Sequence, residues 1–268
     1  MEENKVSGIG REGQVRRSAD VVSIARAQES QKEGPLICDP YAHLFVSPEG
    51  EEMLRSALGR WPFFAEYLVV RDKFFDEHLR VLCEKEDVKQ MVSLGAGNDM
   101  RAARLDFLKG RKVFEVDLPD QITAKKAILK SELGKLPEEV TYVGTSVTEP
   151  GFMLVLQKAG FVPEERSVFI VEGLIYYLSS EGVDCFFDEL SHLPSLRNLF
   201  LVDHISIDFS QKALDPEKRG KPPYPENVLS YLSNRGFSIR ESALLGNLTG
   251  KYCGKNYQEK WWVVAAIR

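Results

Sequence analysis

The stretch Met91-Val92-Ser93-Leu94-Gly95-Ala96-Gly97-Asn98-Asp99 decides the fold of this chain. A short apolar run leads directly into Gly-x-Gly, and an acidic residue, Asp117, ends the next apolar run about 20 residues later. The pattern predicts, in order, a strand over 91–94, a turn over 95–99, a helix over 100–109 and a strand over 113–116. Gly-x-Gly after a parallel strand lets a ligand approach the backbone, and an acidic residue at the next strand end is placed to accept both hydroxyls of a ribose. The stretch therefore indicates a nucleoside-cofactor site.

The glycine turn favours one class of cofactor over another. The dinucleotide fingerprint is Gly-x-Gly-x-x-Gly, in which the third glycine lets the helix pack closely on the strand. That position is Met100 here, followed by Arg101. The loop therefore fits S-adenosylmethionine (SAM) better than NAD. A plain strand-to-helix turn without a ligand is the structural alternative, because a short motif is specific only in the right context.

Strands and helices alternate from Lys89 onward, which predicts an α/β fold with a mostly parallel sheet. Further strands are expected over 141–143, 167–171 and 199–202, with helices over 121–133, 152–159, 181–193 and 228–235. The runs 237–245 and 261–267 are predicted to form two closing strands, which can pair as a hairpin with a long connection. The segment 215–225 is rich in proline, lysine and glycine, which is typical of a loop or lid.

The first third of the chain has helical rather than strand periodicity. Residues 1 to about 18 are predicted to form a loose arm, followed by helices over 19–28, 51–58 and 64–83, with a short element capped by Asp39 and beginning at Pro40. We expect residues 1–88 to form an arm and a helical cap. Residues 89–268 then form the cofactor-binding domain.

Composition excludes several classes of function. The formal net charge is −5, so the chain lacks the basic footprint of a nucleic-acid-binding protein, and no apolar run approaches the length of a membrane span. The four cysteines are scattered, and the four histidines show no metal-ligand spacing. We expect a cytoplasmic protein with no metal site, no nucleic-acid partner and no membrane partner.

Chemistry-bearing residues follow several predicted strands at their carboxyl ends, where open α/β sheets bind ligands. They are Gly95, Gly97, Asp117, Ser146, Glu172, Gly173, Asp203 and His204. Arg71 stands in the apolar stripe of the 64–83 helix, where it pairs either with a structural carboxylate or with a ligand carboxylate. Glu172 is either a helix cap or structural partner, or a carboxylate facing a cationic ligand. His204 is either a general base or a satisfied surface histidine.

Five stretches resemble the leucine carboxyl methyltransferase-like family of SAM-dependent O-methyltransferases, in particular its short bacterial members. They span roughly residues 18 to 180 in the expected order: Ser18–Ser30 with Asp39-Pro40-Tyr41-Ala42, Arg71-Asp72-Lys73-Phe74-Phe75-Asp76, Leu94–Arg101, Phe114-Glu115-Val116-Asp117-Leu118-Pro119, and Glu172-Gly173-Leu174-Ile175-Tyr176-Tyr177-Leu178.

This resemblance implies a class I methyltransferase, Rossmann-like sheet of seven mostly parallel strands with an N-terminal helical cap. It implies Arg71 on the methionine carboxylate of SAM, the loop of Gly95, Ala96 and Gly97 under the methionine moiety, and Asp117, with Leu118 after it, at the ribose. It further places Glu172 and Gly173 near the methionine end and Tyr177 towards the substrate. Ser146 stands where the family usually has an aspartate near the adenine.

We therefore predict methyl transfer from SAM to an oxygen, either a carboxylate or a hydroxyl, of a small molecule or a peptide end. A carboxylate acceptor is already ionised, whereas a hydroxyl needs a base, for which Tyr177 and His204 are the candidates. The loop over 212–225, with Lys218, Arg219 and Lys221, either guides an acidic acceptor or is a solvated lid. A non-catalytic SAM-binding interaction module is the first alternative, and a nicotinamide-dependent oxidoreductase is the second.

Overall fold

A seven-stranded sheet forms the centre of the molecule, as the sequence predicts. The computed structural model describes residues 11–194, 198–205, 227–255, 257 and 261–268. The strands are β1 (Gln90–Leu94), β2 (Lys112–Asp117), β3 (Val140–Gly144), β4 (Ser167–Val171), β5 (Leu199–Ile205), β6 (Ser238–Leu244) and β7 (Trp261–Ile267). Their order in the sheet is β3-β2-β1-β4-β5-β7-β6. Strands β1 to β5 pair in parallel, and β7 is antiparallel to both β5 and β6.

The strand order reverses direction between β1 and β4. From β1 the chain continues outward through β2 and β3, then returns to place β4 against the other edge of β1. Every residue of β1 and β4 is buried, as expected for strands covered on both faces. In open α/β sheets such a reversal leaves a crevice at the carboxyl ends of the two strands. The fold therefore predicts a ligand site above Leu94 and Val171.

Helices cover the sheet and the carboxyl ends of its strands. They are α1 (Arg11–Ser30), α2 (Pro48–Arg60), α3 (Phe64–Lys85), α4 (Arg101–Arg104), α5 (Pro119–Leu133), α6 (Phe152–Lys158), α7 (Ser180–Ser191), α8 (Val228–Asn234) and α9 (Leu245–Cys253). The inward residues of α3, such as Phe75 and Leu79, are fully buried and share one apolar core with the sheet. None of the described helices is long and apolar enough to cross a membrane.

Four local predictions differ from the structure. The predicted arm is helical from Arg11 onward, since α1 extends eight residues further towards the N-terminus than the predicted helix. The element after Asp39 is a 3₁₀ turn over Ala42–Phe45, because the Asp39 carboxylate accepts the Tyr41 N–H at 3.0 Å and so delays the first turn.

The other two differences lie in connections. The predicted 100–109 helix is divided into α4 and a 3₁₀ turn over Asp106–Leu108, since Leu105 between them is extended. The connection between β6 and β7 contains α9, which begins directly after β6. The loop over 212–225 lies outside the described residues.

Candidate active site at the carboxyl ends of the strands

A cavity of about 420 Å³ lies at the carboxyl ends of β1, β2 and β4, where the strand order reverses. This volume is within the range of small-molecule and cofactor sites. One side is formed by the glycine loop and the strand ends, and the other by α1, α2 and α3. All nine predicted cofactor residues line it: Arg71, Gly95, Ala96, Gly97, Asp117, Leu118, Ser146, Glu172 and Gly173.

The glycine loop follows β1 with two residues in the left-handed region. Gly95 has φ +68° and Gly97 has φ +49°, a conformation that costs little only for glycine. A Cβ on Gly95 would lie 2.9 Å from Leu174 Cδ1, and one on Gly97 would lie 3.1 Å from Ala19 Cβ. The loop therefore requires glycine at both positions, and α1 closes over it directly.

The Asp117 carboxylate holds the loop at the end of β2. Its Oδ2 accepts the Gly97 N–H at 2.7 Å, and its Oδ1 accepts the Leu118 N–H at 2.7 Å. Burial raises the pKa of Asp117, although these two hydrogen bonds oppose the shift. Since a carboxylate oxygen has more than one acceptor position, both oxygens can still accept a ligand hydroxyl.

A buried ion pair supports the loop from behind, and the sequence analysis missed it. Lys125 of α5 lies with its Nζ 2.6 Å from Glu115 Oε2, and it also donates to the Asp99 carbonyl. Both side chains are almost completely buried. Burial raises the pKa of Glu115 to about 7, although the charge of Lys125 opposes the shift. The sequence contained one indication of this pair, because Glu115 is a charged residue among the apolar residues of β2.

Arg71 lies in the floor of the cavity among carboxylates from two strand ends and its own helix. Its Nε is 2.8 Å from Glu172 Oε1, and its Nη1 donates to Asp203 Oδ2 at 3.1 Å and to the Tyr176 hydroxyl at 3.3 Å. Its Nη2 is 3.7 Å from Asp72 Oδ1, which is too long for a hydrogen bond. The structure thus pairs Arg71 with structural carboxylates and leaves Nη2 with donor capacity.

Asp203 and Gly173 connect this floor to the sheet. The fully buried Asp203 accepts the Gly173 N–H through Oδ1 at 2.6 Å and the Trp261 indole N–H through Oδ2 at 3.1 Å. Gly173 has φ +68°, and a Cβ there would lie 3.4 Å from Arg71 Nη1. The end of β5 therefore fixes the turn after β4 and the Arg71 guanidinium together.

A second arginine, which the sequence analysis did not assign, pairs with the same glutamate. Arg101 Nη1 is 2.7 Å from Glu172 Oε2 and 3.2 Å from Asp99 Oδ2, and Arg101 Nε is 2.7 Å from Asp76 Oδ1. Burial alone would raise the pKa of Glu172, but the charges of Arg101 and Arg71 outweigh it and hold that pKa below its ordinary range. Glu172 is therefore ionised at neutral pH.

These contacts extend into one charged cluster between α1, α3, α4 and the strand ends. Its members are Arg26, Arg71, Arg101, Arg104, Asp39, Asp72, Asp76, Asp99, Glu172 and Asp203. Burial and the Glu172 carboxyl raise the pKa of Asp72 well above its ordinary value. Burial also raises the pKa of Asp203. The cluster contains six carboxyl groups and four arginines, so its carboxyl groups outnumber its guanidinium groups.

Ser146, Leu118 and Tyr177 lie at the cavity, whereas His204 does not line it. Ser146 Oγ lies 2.9 Å from Thr148 Oγ1 and accepts the Thr148 N–H at 3.3 Å, which forms a local turn after β3. His204 is buried within β5 and faces away from the side of Asp203, because neighbouring strand residues point to opposite faces. The general-base hypothesis for His204 therefore has no geometric support.

An apolar wall forms the opposite side of the cavity. Its residues come from the end of α2 and the start of α3: Met53, Ala57, Trp61, Phe64 and Leu68, with Arg60 at the edge. Sequence reasoning did not assign these residues, because an apolar stripe at helical spacing is typical of any core-facing helix.

Comparison with known proteins agrees with this geometry. Residues 19–191 match the leucine carboxyl methyltransferase family. A Frankia alni protein assigned as a SAM-dependent methyltransferase is 35% identical over 244 residues, with 84% of each chain covered. One from Mycolicibacterium smegmatis is 33% identical, with 70% of this chain and 66% of that protein covered.

Solved structures share the fold at low sequence identity. The crystal structure of a protein from Thermobifida fusca assigned as a methyltransferase has a TM-score of 0.67 at 12% identity, with 99% of both chains covered. A DUF574 family protein from Streptomyces avermitilis has a TM-score of 0.65 at 11% identity, with 94% of this chain and 97% of that chain covered. The class I methyltransferase sheet predicted from the sequence is thus confirmed, and the chain belongs to the leucine carboxyl methyltransferase family of SAM-dependent methyltransferases.

Proposed function

We propose that this protein transfers the methyl group of SAM to an oxygen of a small molecule or a peptide end, and that the oxygen belongs to a carboxylate. The observation that carries the proposal is one continuous cavity, which joins the glycine loop and Asp117 on one side to the apolar wall on the other. A cofactor and an apolar acceptor can therefore meet inside it. The carboxyl group named in the description of the family supports the choice of oxygen.

The residues of the glycine-loop side fit SAM. Gly95 and Gly97 have no side chain and Ala96 has only a methyl group, so a ligand can approach the backbone. The two Asp117 oxygens would accept the ribose hydroxyls, with Leu118 beside them. Ser146 lies at the end of β3 and would contact the adenine. SAM supplies a methyl group already activated on a sulfonium, so the protein mainly provides proximity and alignment.

The charged cluster fits the methionine end of the cofactor. Arg71 Nη2 has donor capacity and would bind the methionine carboxylate, while Glu172 and the backbone at Gly173 would hold the ammonium group. The sulfonium and ammonium together carry two positive charges against one carboxylate. The carboxyl groups that outnumber the arginines in the cluster would therefore favour a cationic cofactor in this buried site, where charges interact strongly.

Tyr177 suits an acceptor that is already ionised. Burial raises the pKa of its hydroxyl, so the hydroxyl stays protonated at neutral pH and donates a hydrogen bond rather than accepting a proton. A carboxylate is ionised at neutral pH and needs no base. Of the two candidates from the sequence, Tyr177 is therefore an orienting donor, and His204 lies away from the cavity.

Two measurements test the proposal in sequence. Calorimetric titration with S-adenosylhomocysteine (SAH) is expected to show binding to the parent protein. Radiolabelled SAM is then incubated with a panel of apolar carboxylic acids and short peptides, and the products are treated with mild base. A methyl ester releases volatile methanol under this treatment, whereas a methyl ether keeps its label.

Each outcome has a distinct meaning. Base-labile label supports carboxyl methylation, and base-stable label contradicts it in favour of a hydroxyl acceptor. SAH binding without transfer to any acceptor favours the non-catalytic module. Failure of the folded parent to bind SAH contradicts the assignment of this cavity as the cofactor site.

A further inference from the structure

The apolar wall of the cavity ends at a cation. Helix α2 contributes Met53 and Ala57, and its last residue, Arg60, lines the same cavity immediately before Trp61. Arg60 is exposed, and its guanidinium carbon lies 4.8 Å from the centre of the Trp61 ring. A cation held over an aromatic face at this distance is attracted to it, which favours one orientation of the side chain. The wall therefore has an apolar body and a positive rim.

Arg60 differs from the other arginines that line the cavity. Arg26, Arg71 and Arg101 are buried, and each pairs with carboxylates at 3.4 Å or less. For Arg60, the contact that the described residues provide is an aromatic ring, which does not neutralise its charge. An anionic ligand group at the rim would therefore pair with Arg60 without displacing an existing ion pair.

The position of Arg60 separates this anion from the reacting oxygen. Tyr177 and Glu172 lie at the strand ends on the inner side of the cavity, whereas Arg60 belongs to the exposed end of α2. On α3, Phe64 and Leu68 line the cavity between Trp61 and Arg71, which pairs with Glu172. Because these two residues are apolar, the part of a ligand that contacts them is expected to be apolar as well.

We propose that the methyl acceptor is an amphipathic anion, whose apolar body lies on the α2–α3 wall and whose anionic group, remote from the methylated oxygen, pairs with Arg60. This inference rests on the proposed function, since it describes the acceptor of that reaction. Trp61 keeps the guanidinium oriented over the cavity, and Arg60 selects acceptors that carry the remote charge.

The test uses a probe that cannot be methylated under the assay conditions. Octanesulfonate is an apolar chain with a permanent anion, and 1-octanol is its neutral match. Each is titrated calorimetrically into the protein saturated with SAH. We compare the parent, Arg60→Gln, Arg60→Lys and the matched control Arg55→Gln, since Arg55 is exposed on the same helix but pairs with Glu52 and does not line the cavity.

The parent and Arg55→Gln are expected to bind octanesulfonate about fivefold more tightly than 1-octanol, the size of effect expected for a partly exposed charge pair. Arg60→Gln should lose this preference, Arg60→Lys should keep most of it, and SAH affinity should be the same in all four proteins. Equal affinity of the parent for both probes, or an unchanged preference in Arg60→Gln, would overturn the inference. Failure of the parent to bind SAH would instead contradict the proposed function, so the two failures are distinguishable.

Discussion

The two sides of the cavity are built in opposite ways. On the cofactor side, the glycine loop and the strand ends are held by Asp117, by the Lys125–Glu115 pair and by the charged cluster around Arg71, and nearly all of these groups are buried. On the acceptor side, α2 and α3 present an apolar wall in which Met53, Trp61 and Phe64 are at least partly exposed, whereas Ala57 and Leu68 are buried.

This difference separates two kinds of constraint. Buried charges are costly to leave unpaired, so a change on the cofactor side is expected to affect both the stability of the fold and the binding of SAM. The partly exposed apolar residues of the wall contribute less to stability, so a change at one of them is expected to affect the acceptor more than the fold. Under the proposed function, one half of the cavity is fixed by its ion pairs, whereas the selectivity of the other half can change independently.

Arg71→Met is expected to give the largest effect. The substitution leaves the fully buried Asp203 with two N–H donors but without a cation, while Glu172 retains Arg101. Removing one partner of a buried ion pair costs about 3–5 kcal/mol. Urea unfolding should show this loss, and SAH binding should be abolished or strongly weakened.

The double variant Arg71→Met/Asp203→Asn shows whether the uncompensated charge is the cause. Neutralising Asp203 should restore part of the lost unfolding free energy without restoring SAH binding. Arg55→Met, which removes an exposed pair with Glu52, should change stability by less than about 1 kcal/mol. A single Arg71→Met variant as stable as this surface control would contradict the contrast between the two sides.

Glu115→Gln tests the pH dependence of the buried Lys125–Glu115 pair behind the glycine loop. Burial raises the folded-state pKa of Glu115 from 4.5 to about 7, so between these values the folded state holds a proton that the unfolded chain has released. The contribution of this group to stability therefore falls as pH rises from about 4.5 to 7, by about 3 kcal/mol in total. The unfolding free energy of the parent minus that of Glu115→Gln should fall across this window.

A surface glutamate provides the matched comparison. Glu138 pairs with Lys135 on the surface, and Glu138→Gln should follow the pH profile of the parent. The unfolding free energy of the parent minus that of Glu115→Gln could instead stay constant or rise between pH 4.5 and 7. That result would show that Lys125 keeps Glu115 ionised in the folded state.

Asp117→Asn should affect cofactor binding more than folding. The carboxylate accepts two backbone N–H groups, one through each oxygen. The amide keeps one acceptor oxygen, but its NH₂ group then faces the other N–H donor. This NH₂ group cannot accept a hydrogen bond from a ribose hydroxyl. We expect a loss of about 2 kcal/mol in SAH binding, or about thirtyfold in Kd by calorimetry. Asp120→Asn, in the exposed first turn of α5, should bind SAH like the parent.

The sequence was sufficient to locate those residues of the cavity whose positions follow from local backbone geometry. Gly95 and Gly97 are required by positive φ, and Asp117 is placed by the end of β2, so each could be located from a local pattern. The seven strands were likewise found from apolar runs. These predictions succeeded because they depend on short-range geometry.

What the sequence did not reveal depends on contacts between distant residues. Arg101 meets Glu172 across 71 positions in the chain, and no local pattern links them. From the sequence alone, Lys125 cannot be distinguished from a surface lysine of a helix, because its burial depends on the packing of α5 on β2. The sequence suggested His204 as a general base because it follows Asp203 at the carboxyl end of a predicted strand. In β5, however, neighbouring side chains alternate, so those of Asp203 and His204 point to opposite faces of the sheet.

Met53→Ala gives the smallest expected effect and tests the acceptor side directly. Met53 is 38% exposed and lines the wall, so its truncation should change the unfolding free energy by no more than about 0.5 kcal/mol and leave SAH affinity unchanged. Loss of apolar contact area should weaken octanesulfonate binding to the SAH complex by about 1 kcal/mol, or about fivefold. The exposed Leu154, on α6 and outside the cavity, provides a matched control, and Leu154→Ala should leave both ligands unaffected. If Met53→Ala weakened SAH as much as octanesulfonate, the two sides of the cavity would be energetically coupled, and the acceptor wall could not change its selectivity independently of the cofactor site.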